Sequence, residues 1–124
     1  MAYGVFGLNK AYVLNRKQVF STADTYGWFG GGTPGPVATV DRIDFSNDSS
    51  TASVRGPLSS ARTRLTATGN SNYGWFGGGY APTTSRSTVD RIDFSNDSST
   101  ASVRGSITPA TGRTRLAATS NSTR

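Results

Sequence analysis

The stretch VDRIDFSNDSSTASVRG, residues 40–56, decides the fold, because it returns without a change at residues 89–105. Within it, Ile43 and Phe45 fall on one face of an extended chain and their charged neighbours fall on the other. This two-residue period is typical of a β-strand. Turn-forming residues follow and lead into the β-prone stretch 51–54, so each copy predicts a β-hairpin.

The duplication extends beyond this hairpin. YGWFGGG recurs at an offset of 47 residues (26–32 and 73–79), and RTRL recurs at an offset of 51 (62–65 and 113–116), against 49 for the hairpin. The changes in offset fall in loops rich in Pro, Gly, Ser and Thr, where length changes are tolerated. The chain therefore divides into three parts: an N-terminal extension at 1–25, a first repeat at 26–72, and a second repeat at 73–124 with a leftover strand at Arg115 to Thr119.

Two further strands are predicted in the first repeat, at Tyr26 to Phe29 and at Leu65 to Thr68. No stretch shows helical spacing with caps. The sequence thus predicts an all-β protein with four short strands per repeat of about 50 residues.

Composition limits the chemistry. The 124 residues carry a formal net charge of +6 and contain no His, no Cys and no Glu. A histidine-based triad, a cysteine nucleophile, a zinc site of the usual type and a disulfide are therefore excluded. No apolar run approaches the length of a membrane span, and no secretion signal is readable. We expect a soluble protein that is not an enzyme, has no cofactor and does not insert into membranes.

Two motifs have both a functional and a structural interpretation. The glycine runs at 30–32 and 77–79 could cradle a phosphate, but no Lys-Ser/Thr pair closes them, which favours glycines that end strands beside packed Trp and Phe rings. Asp44, Ser46 and Asp48 have the early spacing of a calcium loop, but Gly and Glu are missing from its later positions. An Asx turn is the better interpretation.

The charged residues are also interpreted as structural. Arg42 lies beside Asp41 and Asp44, and this cluster is expected to form ordinary ion pairs across the sheet with Arg55, as its second copy is with Arg104. The pI of 10.3 could indicate a polyanionic partner. Because the basic residues are scattered along the chain, nucleic acid is not favoured as that partner.

The repeats resemble blades of kelch-like β-propellers. YGWFGGG is similar to the kelch strand that ends in glycines, VDRIDF to the strand that follows it, and Pro57 to Arg62 to the loop before the next blade; Ser53 and Val54 stand where kelch blades usually have a Trp. The amino-acid sequences of the repeats are also similar to repeats in virion structural proteins of marine tailed bacteriophages.

This resemblance implies a non-enzymatic virion protein, such as a fibre, collar or decoration component, with host-surface attachment through a glycan as a further expectation. A cellular carbohydrate- or protein-binding propeller module is the alternative. Propellers close with about 4 to 8 blades. Two repeats would leave sheet edges exposed, so the expected partners are copies of the same chain and other virion proteins.

The N-terminal extension supplies the candidate partner-binding residues. Its apolar side chains exceed what a solvated tail needs, and we expect them to anchor the chain to another protein: Phe6, Leu8, Tyr12, Val13 and Leu14. A first strand for the Tyr26 repeat is the other interpretation, and it suits Gln18 to Thr25 better.

Overall fold

The computed structural model describes residues 25–121, which form two antiparallel sheets. The first sheet contains β1 (Tyr26–Gly30), β2 (Val40–Asp44) and β3 (Ser53–Arg55), and the second contains β4 (Thr66–Gly69), β5 (Tyr73–Gly77), β6 (Val89–Asp93) and β7 (Ser102–Val103). In both sheets the strands neighbour one another in chain order. The only helical element among these residues is a single 3-10 turn at Phe94–Asn96. The predicted all-β class is confirmed.

The repeated sequences fold alike at the level of strand pairing. Trp28 lies opposite Arg42 in β1 and β2, and Trp75 lies opposite Arg91 in β5 and β6. In each sheet the arginine side chain lies 4.1 Å from the ring centroid of the tyrosine that begins the paired strand. Such a cation–π contact holds the guanidinium in place.

Both hairpins turn at an Asp whose side chain caps the following backbone. Asp44 Oδ1 accepts hydrogen bonds from the Ser46 amide (2.9 Å) and hydroxyl (2.6 Å). Asp93 receives the same two bonds from Ser95. These are the Asx turns that the sequence predicts.

Strand β4 lies in the first repeat by sequence but pairs with β5 of the second, with Ala67 opposite Phe76. The prediction of a leftover C-terminal strand at Arg115 to Thr119 is wrong, because that segment forms no strand. Its residues correspond to β4 at the 51-residue offset, and β4 is a strand only because the next repeat pairs with it. Among residues 25–121 no third sheet follows.

The apolar core is small and lies between the two sheets. It consists of five buried side chains: Val40, Leu58, Phe76, Ile92 and Ala101. Four partly buried side chains pack against them: Trp28, Ala38, Leu65 and Phe94. None of the described residues forms a helix with the length and apolarity of a membrane span. Equivalent residues differ sharply in burial, since Phe76 is 5% exposed and Phe29 is 63% exposed. The expectation that the Phe rings beside both glycine runs are packed is therefore wrong for Phe29.

Candidate functional site: the repeat junction

Asp97, in the hairpin turn of the second repeat, holds the two sheets together. Its Oδ2 accepts hydrogen bonds from Trp28 Nε1 (2.8 Å) and Arg42 Nη1 (3.1 Å). Its Oδ1 accepts from Arg55 Nε (2.9 Å) and Nη2 (2.7 Å). Donors from the first repeat therefore hydrogen-bond to both carboxylate oxygens of Asp97, whose side chain is only 4% exposed. Together with the Asp90 contacts described next, these form the repeat junction.

Asp90 on β6 is the second anchor of the junction. One oxygen accepts from the Ser59 amide (3.0 Å) and from Arg62 Nη2 (3.0 Å), and the other accepts from the Ser59 hydroxyl (2.7 Å). Arg62 also donates from Nη1 to the Thr88 carbonyl at 2.9 Å, whereas its buried Nε has no partner. The Arg62 and Asp90 side chains are both completely buried.

Aromatic stacking and backbone hydrogen bonds complete the junction. The rings of Trp28 and Phe94 are stacked with their centroids 4.2 Å apart. The Gly56 amide donates to the Asp97 carbonyl at 2.8 Å, and a Cβ atom on Gly56 would lie 1.9 Å from the Ser99 carbonyl oxygen. Only glycine allows the chains to approach this closely.

The electrostatic balance differs between the two anchors. Burial raises the pKa of Asp97, but the hydrogen bonds from Arg55 and Trp28 and the charges of Arg42 and Arg55 outweigh it, so the pKa is lowered overall. Burial lowers the pKa of Arg62, and the charge of Asp90 opposes that shift. Arginine nevertheless stays protonated at neutral pH. Both anchors are therefore ion pairs in the folded protein.

The structure rearranges the charged groups that the sequence singles out. The sequence predicts ion pairs within the first sheet, between its arginines and Asp41 or Asp44. This prediction is wrong for Arg42 and Arg55, because both donate to Asp97 of the other repeat. Asp48, the first-repeat counterpart of Asp97, is exposed. No ion pair joins it to any of residues 25–121.

The other candidate motifs do not assemble into a reactive centre. Within residues 25–121 no three Asp side chains meet in a group that could hold a metal ion. Gly31 and Gly78 have φ values of +74° and +70° at strand ends, and neither precedes a helix. The five N-terminal candidates lie outside the described residues: Phe6, Leu8, Tyr12, Val13 and Leu14.

Sequence reasoning missed Asp90 and Asp97 as anchors. Each has a counterpart, Asp41 or Asp48, in identical surrounding sequence, so no local signal distinguishes the buried copy from the exposed one. Neither a family model nor a curated protein matches this chain. The geometry can join one repeat to another, because each buried carboxylate is paired with arginine from the other repeat.

Proposed function

We propose that the chain is a non-enzymatic structural protein of a tailed-phage virion, a fibre, collar or decoration component built from kelch-like blades. The observation that carries the proposal is the repeat junction, because its ion pairs and its Trp and Phe contacts come from residues that both repeats possess. A contact of this kind can be repeated from unit to unit, which suits a building block of a larger assembly. The virion assignment rests on the resemblance of the repeat sequences to those of phage structural proteins.

The architecture of the second sheet supports its interpretation as a blade. The second sheet has four antiparallel strands in chain order, which is the arrangement of a propeller blade. Two blades are too few to close a propeller, because the smallest propellers have about four. We therefore propose that other chains, including copies of this one, complete the assembly.

Mass spectrometry of purified particles tests this function, with immunogold labelling to locate the chain on them. We expect the chain to copurify with particles through a density gradient in a fixed ratio to the major structural proteins. A host protein of similar abundance is the control for contamination. A chain that stays in the soluble fraction and binds an immobilised glycan would instead support the cellular binding module.

A further inference from the structure

Each repeat has two unlike faces, and the junction uses one face of each. On its second-repeat side the junction presents Phe76, Asp90, Phe94 and Asp97. The repeat offsets give their first-repeat counterparts, which we call the Asp face: Phe29, Asp41, Phe45 and Asp48. The junction residues Phe76 and Asp97 are 5% and 4% exposed, whereas Phe29 is 63% and Phe45 50% exposed. Phe29, Phe45 and Asp48 of the Asp face are thus exposed to solvent, and Asp41 is half-buried.

The second repeat carries counterparts of the side-chain donors of the junction, with Thr108 in the place of Ser59 at the 49-residue offset. Its counterparts of the donors Trp28, Arg42, Arg55 and Arg62 form what we call the Arg face: Trp75, Arg91, Arg104 and Arg113. Arg91 is already held over Tyr73 as Arg42 is held over Tyr26. Arg104 and Arg113 are exposed, while Arg62 is completely buried at the junction.

A cavity of about 330 Å³ lies on the Arg face. Five residues of its lining are the counterparts of residues that belong to the core cluster of Phe76 or contact its ring: Trp75, Gly77, Val89, Ile107 and Leu116. The corresponding glycine, Gly30, lies so close to Phe76 that a Cβ atom on it would be 2.9 Å from Cε1 of the ring. The cavity therefore has the lining and the glycine wall that receive a phenylalanine, and Phe29 is the phenylalanine at the matching position.

We propose that copies of this chain join head to tail, the Asp face of one copy docking on the Arg face of the next and reproducing the repeat junction. Phe29 fills the cavity beside Trp75, and Asp48 accepts from Trp75, Arg91 and Arg104. Asp41 pairs with Arg113. This proposal rests on the proposed assembly function and names its partner and contact residues.

The same pairing accounts for the C-terminal segment. Ala67 of β4 lies opposite Phe76 of β5, so the offset places Ala118 of one copy opposite Phe29 of the next. Arg115 has φ +55° and its counterpart Arg64, before β4, has φ +59°. The backbone thus turns alike before both segments. In the proposed assembly residues 117–120 become a strand against β1 of the next copy, in the place for which Gln18 to Thr25 of that copy are the competing candidate from sequence.

Glycine 105 gives a test that leaves the single chain unaffected. A Cβ on its counterpart Gly56 would collide with Ser99, whereas a Cβ on Gly105 would meet no atom within 4 Å. Gly105→Leu should therefore fold normally and block the Arg face. The double variant Phe29→Ala/Asp48→Ala should block the Asp face. Thr83→Ala and Thr83→Leu, at an exposed position outside both faces, are the matched controls.

Sedimentation equilibrium of the full chain measures the association. We expect wild type and both controls to associate in a concentration-dependent manner, and each face variant to associate at least about tenfold more weakly, as loss of an interface hot spot does. Thermal unfolding of each variant checks that it is folded. Mixing the two face variants should produce a one-to-one dimer and nothing larger, because each retains one intact face.

Three results would overturn the pairing: a monomeric wild-type chain, face variants that assemble as wild type does, or folded face variants that fail to dimerise on mixing. A monomer that unfolds more easily when Phe29 is removed would mean that the same chain covers the Asp face. Presence in particles with a monomeric chain would overturn this pairing and leave the proposed function standing. Head-to-tail assembly by a chain absent from particles would do the reverse.

Discussion

Arg62 and Asp90 form a 3.0 Å ion pair in which both side chains are completely buried, although they lie 28 residues apart in different repeats. Removing two charges from water is costly, and hydrogen bonds from Ser59 and to Thr88 offset part of that cost. The pair makes the contact between the sheets specific, because an unmatched charge in either position would be buried alone.

Arg62→Ala should lower the free energy of unfolding by about 3 to 5 kcal/mol, because it leaves Asp90 buried without its counter-ion. Urea unfolding at the lowest protein concentration that fluorescence permits measures this effect with little contribution from association. Arg113→Ala, at the exposed equivalent position, is the matched control and should change the free energy by less than about 0.5 kcal/mol. Equal losses in the two variants would contradict the assignment.

Asp97→Asn should weaken the dependence of stability on acid. The folded-state pKa of Asp97 is below its ordinary value of 3.8, so the stability that this carboxylate contributes is fully present above that value. It is lost as the pH falls below 3.8 and through the folded-state pKa. Thermal melts from neutral pH into this acid range should therefore show a shallower decline for Asp97→Asn than for wild type.

Asp48→Asn is the control for that experiment, since Asp48 is exposed in the single chain. The Asx-turn residues Asp44 and Asp93 also have pKa values lowered by their serine hydrogen bonds, so some acid dependence should persist in both variants. A decline in Asp97→Asn as steep as that of wild type would show that the Asp97 ion pairs do not govern acid stability.

Phe76→Ala should destabilise the fold by about 3 to 5 kcal/mol, because it removes the largest apolar side chain of the buried core. Phe29→Ala, in the same sequence context, should cost far less in the monomer, where this ring is 63% exposed. Thermal unfolding of both variants tests the difference. Similar losses would show that Phe29 is buried within the single chain.

Gly31→Ala should be more damaging than Gly35→Ala, although both glycines have positive φ, +74° and +63°. The left-handed conformation alone costs a residue with a Cβ about 1 to 2 kcal/mol, and both variants incur that cost. At Gly31 the new Cβ would also lie 2.6 Å from the Arg62 carbonyl oxygen, whereas at Gly35 it would meet nothing within 4 Å. Melting temperatures that fall equally would show that backbone conformation alone matters at these glycines.

Local structure was predictable from the sequence, and burial was not. The alternation around Ile43 and the Asp-Ser turns act over a few residues, so the hairpins and their Asx turns follow from sequence. The junction depends on which neighbour a repeat has. Asp48 and Asp97 share one sequence context, and only the position of the second repeat beside the first makes Asp97 the buried one.

The unlike faces of a repeat have a consequence for symmetry. Two copies related by a twofold axis must present the same patch to each other, and a junction between an Asp face and an Arg face cannot satisfy that condition. A head-to-tail pair always retains one unused face at each end. Growth therefore stops only when the rotation from copy to copy adds up to a full turn, and any other rotation produces an open helical filament.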